Sequence, residues 1–119
     1  MDRNKRFLTL AKRYCKKSTV KRQFCALIVD KNRIVSIGIN RLSHPANPPA
    51  YKWGLHSEMA ALLNSEDVRG CSVFVHGENK RSGRAVYSKP CGICQRYLMG
   101  RGITTWIFST QNGYEEFTI

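Results

Sequence analysis

The spacing of apolar residues near the start of the chain predicts a helix. Between residues 3 and 17, Phe7, Leu10, Ala11 and Tyr14 recur at intervals of three or four, with Lys and Arg at many of the other positions. That period is typical of one face of an amphipathic helix. Two β-rich runs follow, RQFCALIVD and RIVSIGIN, on either side of the polar triplet DKN. Two such runs around a short polar turn predict a β-hairpin.

Polar connections and short apolar elements alternate in the rest of the chain. The proline-rich segment RLSHPANPPAYKWGL is predicted to be a loop. A helix is predicted from His56 to Asn64, a strand over CSVFVHG, a short return strand over AVYS and a helix over CGICQRYLMGRG, before final strands over TTWIFST and YEEFTI. This order predicts an α/β fold, a three-layer α-β-α sandwich around a mixed five-stranded sheet, in one domain over residues 1–119.

Composition supports a folded domain outside the membrane. The chain has 119 residues, of which 42% are hydrophobic, enough for a single core. It contains no run of about 18 apolar residues, which a membrane-spanning helix needs. The charged N-terminal segment also lacks the apolar stretch of a secretory signal. We therefore expect a cytoplasmic protein with no membrane partner.

Positive charge is concentrated at the N-terminal end. The formal net charge is +12, from 20 Lys and Arg against 8 Asp and Glu. Nine of those basic residues lie in the first 22 positions: Arg3, Lys5, Arg6, Lys12, Arg13, Lys16, Lys17, Lys21 and Arg22. Such a balance favours polyanions or phosphorylated small molecules as partners. The alternative is a solvated helix face that serves only solubility.

The cysteines fall into two groups. Cys15, Cys25 and Cys71 are predicted to be small buried hydrophobic side chains of a protein in a reducing compartment. Cys91 and Cys94 lie three apart at the start of a predicted helix, so both sulfurs would lie on one face. Taken alone, this pair fits a redox couple, half of a structural zinc site or part of a catalytic metal centre.

The segment HSE supplies what the cysteine pair lacks. His56 adds one imidazole to two thiolates, and this combination is a zinc-binding set. His44 and His76 have no Cys or His at ligand spacing, so we expect water in the fourth position, which indicates a catalytic site. Glu58 is then better used as a proton carrier than as a ligand, because zinc lowers the pKa of water. Together these groups would hydrolyse the C–NH2 carbon of a ring such as cytosine or adenine.

The order of the two motifs carries a resemblance. HSE followed by PCGIC matches the H-x-E…P-C-x-x-C signature of zinc nucleobase deaminases. From about residue 24 to residue 109 the chain resembles the cytidine and deoxycytidylate deaminase superfamily, most of all the compact deaminases of phage genomes. The resemblance implies a zinc ion bound by His56, Cys91 and Cys94, with Glu58 as the general acid/base. It also implies a homo-oligomer.

Substrate contacts are less sharply indicated. By the resemblance, Asn40 contacts a nucleoside sugar hydroxyl or the base, and the alternative is that it only ends a strand. The other predicted contacts are Arg41, Trp53, Ser57, Ser88 and Pro90. His44, Lys52 and Lys89 are further candidates for a 5′-phosphate, and Tyr51 for stacking on a base.

Two substrate classes remain open from the sequence. The favoured reaction is hydrolytic deamination of a cytosine nucleoside or nucleotide. The order Gln95-Arg96 is the reverse of that in free cytidine deaminases, which leaves the molecule undetermined. The alternative substrate is a base in single-stranded DNA or RNA, bound by a rim formed from the basic N-terminal segment, the aromatic-bearing loop and the GENKRSGR turn.

Overall fold

The computed structural model describes residues 2–42 and 54–119, which contain three helices and six strands. In chain order these are α1 (Arg3–Cys15), β1 (Arg22–Asp30), β2 (Arg33–Ile39), α2 (Ser57–Leu63), β3 (Ser72–Asn79), β4 (Ala85–Val86), α3 (Gly92–Gly100), β5 (Thr105–Thr110) and β6 (Gly113–Thr118). Every predicted element is present. The first helix ends two residues earlier than its apolar pattern indicates.

All six strands form one mixed sheet. The order is β2-β1-β3-β5-β6, and β4 pairs with β3 beside this path. β3 and β5 are parallel and the other pairs are antiparallel. The predicted mixed sheet is confirmed, but its strand count of five is one short. The sixth strand is the return strand predicted over AVYS, which is only two residues long because it pairs with β3 at just two positions.

The helices lie on both faces of the sheet, as the predicted three-layer sandwich requires. Alternate strand residues point to opposite faces. Leu27, Phe74 and Ile107 pack with the buried face of α1, whereas Val75 and Phe108 pack with α2 and α3. Within residues 2–42 and 54–119, no helix is long and apolar enough to cross a membrane.

A bulge changes the register of the β1–β2 hairpin. Next to the turn, Val29 pairs with Ile34, but one step further Ile28 pairs with Ser36. β2 therefore contains one extra residue that has no partner in β1, and every later pair between the two strands is shifted by one position. As a result the backbone N–H of Asn40 bonds the carbonyl of Phe24 at the end of the hairpin.

A glycine lets α2 approach the sheet closely. A Cβ atom on Gly38 would lie 2.1 Å from the Ser57 carbonyl oxygen and 2.2 Å from the Ala61 backbone nitrogen. These are backbone atoms, so no side-chain rotation could make room. Beside this contact, the Ser36 hydroxyl donates a 2.6 Å hydrogen bond to the Ala61 carbonyl. β2 thus fixes the position of the helix that follows His56.

Candidate metal centre and substrate cavity

The starts of two helices bring the predicted metal ligands together. His56 is the N-cap residue of α2 and Cys91 is the N-cap residue of α3, both with extended backbone. Cys94 lies in the first turn of α3 and is fully buried. Because α2 and α3 pack on the same face of the sheet, their N-terminal ends lie side by side. Residues 35 positions apart in sequence therefore become neighbours.

The donor atoms have the spacing of a zinc site. His56 Nδ1 lies 3.6 Å from Cys91 Sγ and 3.5 Å from Cys94 Sγ. Tetrahedral zinc with ordinary Zn–N and Zn–S bond lengths would separate a nitrogen and a sulfur ligand by about 3.6 Å. All three donor atoms lie within 4.8 Å of one another. Both the donor set and its geometry therefore fit zinc.

Glu58 lies in the wall of the same site. Its side chain is 6% exposed, and Oε1 accepts a 2.7 Å hydrogen bond from the hydroxyl of Ser57, which is fully buried. Glu58 and His56 line one cavity, together with Cys91. A carboxylate here can exchange protons with a molecule that enters the cavity.

The cavity is large enough for a nucleoside-sized ligand. Its volume is about 330 Å³, at the lower end of the range for small-molecule sites. Three basic residues, Arg22, Arg41 and Lys89, line it together with the aromatic residues Phe24 and Tyr87. Cations near the metal ligands suit a ligand that carries a phosphate.

Asn40 lines the cavity and also joins two strands. Its Oδ1 accepts a 2.8 Å hydrogen bond from the Phe24 N–H, and its Nδ2 donates a 2.8 Å bond to the Arg22 carbonyl. The residue thus has the strand-ending position that was the alternative interpretation. Its contact with a substrate stays a prediction.

The other predicted substrate contacts differ in their exposure and in their position relative to the cavity. Arg41 is exposed at the cavity and pairs with Leu55 through two backbone hydrogen bonds of 3.1 and 2.8 Å. Ser57 faces Glu58. Pro90 is buried, and its carbonyl accepts a bond from Gln95. Trp53, like His44, Tyr51 and Lys52, lies outside the described residues.

Ser88 lines the cavity, but its hydroxyl is directed into the sheet. It lies 2.9 Å from the Val75 carbonyl and 2.8 Å from the Ser109 hydroxyl, and the side chain is buried. These bonds hold the segment that leads into Cys91. A substrate would meet the backbone of Ser88 more readily than its hydroxyl.

Sequence reasoning assigned neither Arg22 nor Tyr87 to the site, although both line the cavity. Arg22 was counted only among the basic residues of the N-terminal segment, and Tyr87 only as part of a return strand. The signal that could have found Arg22 is its place at the start of β1, beside the end of β2 at Asn40. That signal depends on the hairpin register, which the bulge alters.

A second polar cluster lies on the opposite face of the sheet. Cys15, His76 and Glu78 are all buried, with donor atoms within 4.8 Å of one another. Lys16 forms an ion pair with Glu78, and burial raises the pKa of Cys15 to about 12. Burial also lowers the pKa of His76. The Cys15 thiol is therefore protonated, and Glu78 is already bonded to Lys16 and to His76. We therefore assign no metal to this cluster.

The class of the protein is shown by a match to a family model. The family model described as the cytidine and deoxycytidylate deaminase zinc-binding region matches residues 1–110. The chain therefore belongs to this family, and zinc is the cofactor of its metal centre. No curated protein sequence matches the chain.

Solved structures share the fold at low sequence identity. The dCMP deaminase of cyanophage S-TIM5, in its apo form, is 16% identical with a TM-score of 0.67, and the match covers 90% of this chain and 82% of that one. The cytidine deaminase of Burkholderia pseudomallei is also 16% identical, with a TM-score of 0.69 and coverage of 96% and 91%. The deaminase/reductase of Thermotoga maritima is 23% identical, with a TM-score of 0.60 and coverage of 89% and 29%.

Proposed function

We propose that the protein hydrolytically deaminates cytosine in a nucleoside or nucleotide. His56, Cys91 and Cys94 would hold zinc, and Glu58 would act as general acid/base. The observation that carries this proposal is the cluster of three zinc donors beside a cavity that is lined by two of them and by the buried Glu58 carboxylate. Zinc supplies Lewis acidity there, which makes water a nucleophile near neutral pH.

Glu58 provides the proton transfers of the reaction. The water oxygen bonds to C4 of cytosine, and Glu58 accepts the proton that this water loses. Glu58 passes this proton to the ring nitrogen N3, then accepts the proton of the hydroxyl group now on C4 and passes it to the amino group. The C4–N bond breaks, ammonia leaves, and the uracil form remains. Ser57 keeps the carboxylate oriented through its hydrogen bond to Oε1.

The basic lining favours a substrate that carries a phosphate. Arg22 and Arg41 are exposed at the cavity, and Lys89 is partly exposed. Each can donate to phosphate oxygens. The S-TIM5 dCMP deaminase has been solved with dCMP and dUMP, so this fold accommodates a nucleotide in that protein. We expect dCMP to be a better substrate than deoxycytidine.

Ammonia release provides the test. Zinc-loaded protein is incubated with cytidine, deoxycytidine, dCMP, adenosine and AMP, and the product bases are identified by chromatography. We expect turnover of the cytosine compounds and its loss in Glu58→Gln with zinc content unchanged. Turnover of adenosine alone would reject the assigned base, and an active Glu58→Gln would reject the assigned residue.

The expected homo-oligomer, the single-domain organisation and the cytoplasmic location remain predictions. Light scattering after size-exclusion chromatography measures the first directly. A mass of one chain at micromolar concentration would contradict it.

A further inference from the structure

Six exposed basic residues lie at the end of the sheet that bears the cavity. We call them the basic surface: Lys17, Lys21, Arg22, Lys80, Arg81 and Arg84. They come from the segment after α1, the start of β1 and the turn between β3 and β4. Lys16, the residue after α1, forms an ion pair with the buried carboxylate of Glu78 in β3, 62 positions further along the chain.

Backbone hydrogen bonds hold these segments against one another. The Lys80 N–H donates a 2.8 Å bond to the Lys21 carbonyl, and Arg22 pairs with Asn79 across β1 and β3. Asn79 then organises the turn, since its Oδ1 accepts a 2.9 Å bond from the Arg81 N–H. The basic surface is thus built on paired strands and a hydrogen-bonded turn.

No ion pair of the described residues involves the basic surface. All eight Asp and Glu residues of the sequence lie within the described ranges. Asp30 lies at the opposite end of β1, and the segment that precedes β3 carries Glu66 and Asp67. Glu78 is buried and already paired with Lys16. In residues 2–42 and 54–119, the Lys and Arg side chains in ion pairs are Lys16 and Arg69, and neither belongs to the basic surface.

The basic surface is continuous with the cavity. Arg22 belongs to both. Its carbonyl accepts a hydrogen bond from the side chain of Asn40, which also lines the cavity. Tyr87, 58% exposed, lines the cavity and offers a ring on which a base could stack. Lys80, Arg81 and Arg84 lie outside the cavity lining. A single 5′-phosphate within the cavity would therefore leave these three cations without a role.

We propose that the basic surface binds single-stranded nucleic acid, so that a cytosine of the strand enters the cavity. A row of cations that tracks a phosphate backbone beside an aromatic ring is the usual means of binding single strands. A single strand is favoured over a duplex because a base must leave its stack to reach the metal centre. The chemistry rests on the proposed function, whereas strand binding is measured on its own.

Fluorescence anisotropy tests the binding step. Fluorescein-labelled 20-nucleotide single strands of DNA and RNA with one cytosine, and the matching DNA duplex, are titrated with zinc-loaded protein between 50 and 200 mM salt. Each phosphate contact contributes about −0.7 to the slope of log affinity against log salt. Six contacts would weaken binding about 300-fold over this range.

A matched pair of charge-reversal variants separates the effect of the basic surface on binding from the effect of the protein's net charge. Lys80→Glu/Arg84→Glu alters the basic surface, and Lys5→Glu/Arg33→Glu makes the same change in net charge at the opposite end of α1 and β1. All four side chains are exposed. We expect the first variant to bind single strands more weakly and the magnitude of its slope of log affinity against log salt to fall by about 1.4, which corresponds to two lost phosphate contacts. The second variant should bind as the wild type does. dCMP turnover should be unchanged in both.

The outcomes are distinct. Equal losses of affinity in the two variants, or tighter binding of the duplex than of single strands, would overturn the proposal. So would the absence of strand binding in a protein that deaminates dCMP. Strand binding that needs Lys80 and Arg84 without any deamination would support the surface and reject the proposed function. The DNA and RNA arms identify which strand is preferred.

Discussion

The Ser57 hydroxyl donates a 2.7 Å hydrogen bond to Glu58 Oε1, and both side chains are buried in the wall of the cavity. A flexible carboxylate would have to be ordered at each turnover. Here a neighbour in the same helix turn orders it beforehand. Ser57 is thus a positioning residue for the group that would carry protons.

Replacing Ser57 tests this role. Ser57→Ala removes the donor without adding volume, and a hydrogen bond to a charged group contributes about 1.5–3 kcal/mol. We expect kcat to fall by about 10- to 100-fold, with KM and zinc content unchanged. Steady-state kinetics on dCMP check this. A rise in KM at constant kcat would instead place Ser57 among the binding residues.

Close packing at Gly38 makes a second prediction. Gly38→Ala would place a methyl group against the backbone of α2, so the helix bearing Glu58 must move. We expect a loss of about 1–3 kcal/mol in unfolding free energy and a larger relative loss of activity. Urea unfolding and kinetics measure the two effects.

Gly100→Ala is the control for Gly38→Ala. A Cβ atom at Gly100 would meet nothing within 4 Å, so both stability and activity should be retained. Equal effects of the two substitutions would remove close packing as the cause.

Removing the metal should lower stability as well as activity. Zinc binds the folded site, so its binding free energy adds to folding. We expect a chelator to lower Tm and abolish turnover, with both restored by zinc. Cys94→Ser should show the low Tm from the start and hold no stoichiometric zinc. A Tm that does not respond to the chelator in the wild type would contradict the assigned centre.

Alkaline pH should destabilise the fold through the thiols of Cys15 and Cys25, which are buried between α1 and the sheet. Burial raises the pKa of Cys25 from 9.0 to about 12, and does the same for Cys15. Between about pH 9 and pH 12 the folded chain therefore keeps protons that the unfolded chain loses, so stability falls as pH rises.

The measurement is urea unfolding under reducing conditions at pH 8 and pH 10. Cys25→Val removes one of these thiols while keeping an apolar side chain, so its stability should fall less over this interval. A wild-type stability that stays constant between the two pH values would contradict the assigned cause.

The sequence predicted the elements well because their patterns are local. The helical spacing of Phe7 and Tyr14 and the two runs around DKN each depend on short-range preferences. The order of motifs was also enough to predict that His56 and the two cysteines meet. Nothing in that order indicates that Ser88 turns its hydroxyl into the sheet.

What the sequence could not provide depends on register and on long-range pairing. The bulge in β2 shifts the end of the hairpin by one position, and only then do Phe24 and Arg22 lie beside Asn40. The basic turn before β4 likewise comes beside Lys21 only through strand pairing. Such placements result from the whole sheet, and no local pattern encodes them.

The backbone pair between Arg41 and Leu55 has a practical consequence for altering specificity. It joins the residues on the two sides of residues 43–53, and Leu55 directly precedes His56. Exchanging residues 43–53 for those of another family member would therefore change the sequence between Arg41 and Leu55 while keeping the backbone pair that these two residues form. A library of chimaeras built between these two residues could separate substrate choice from catalytic competence within a single protein.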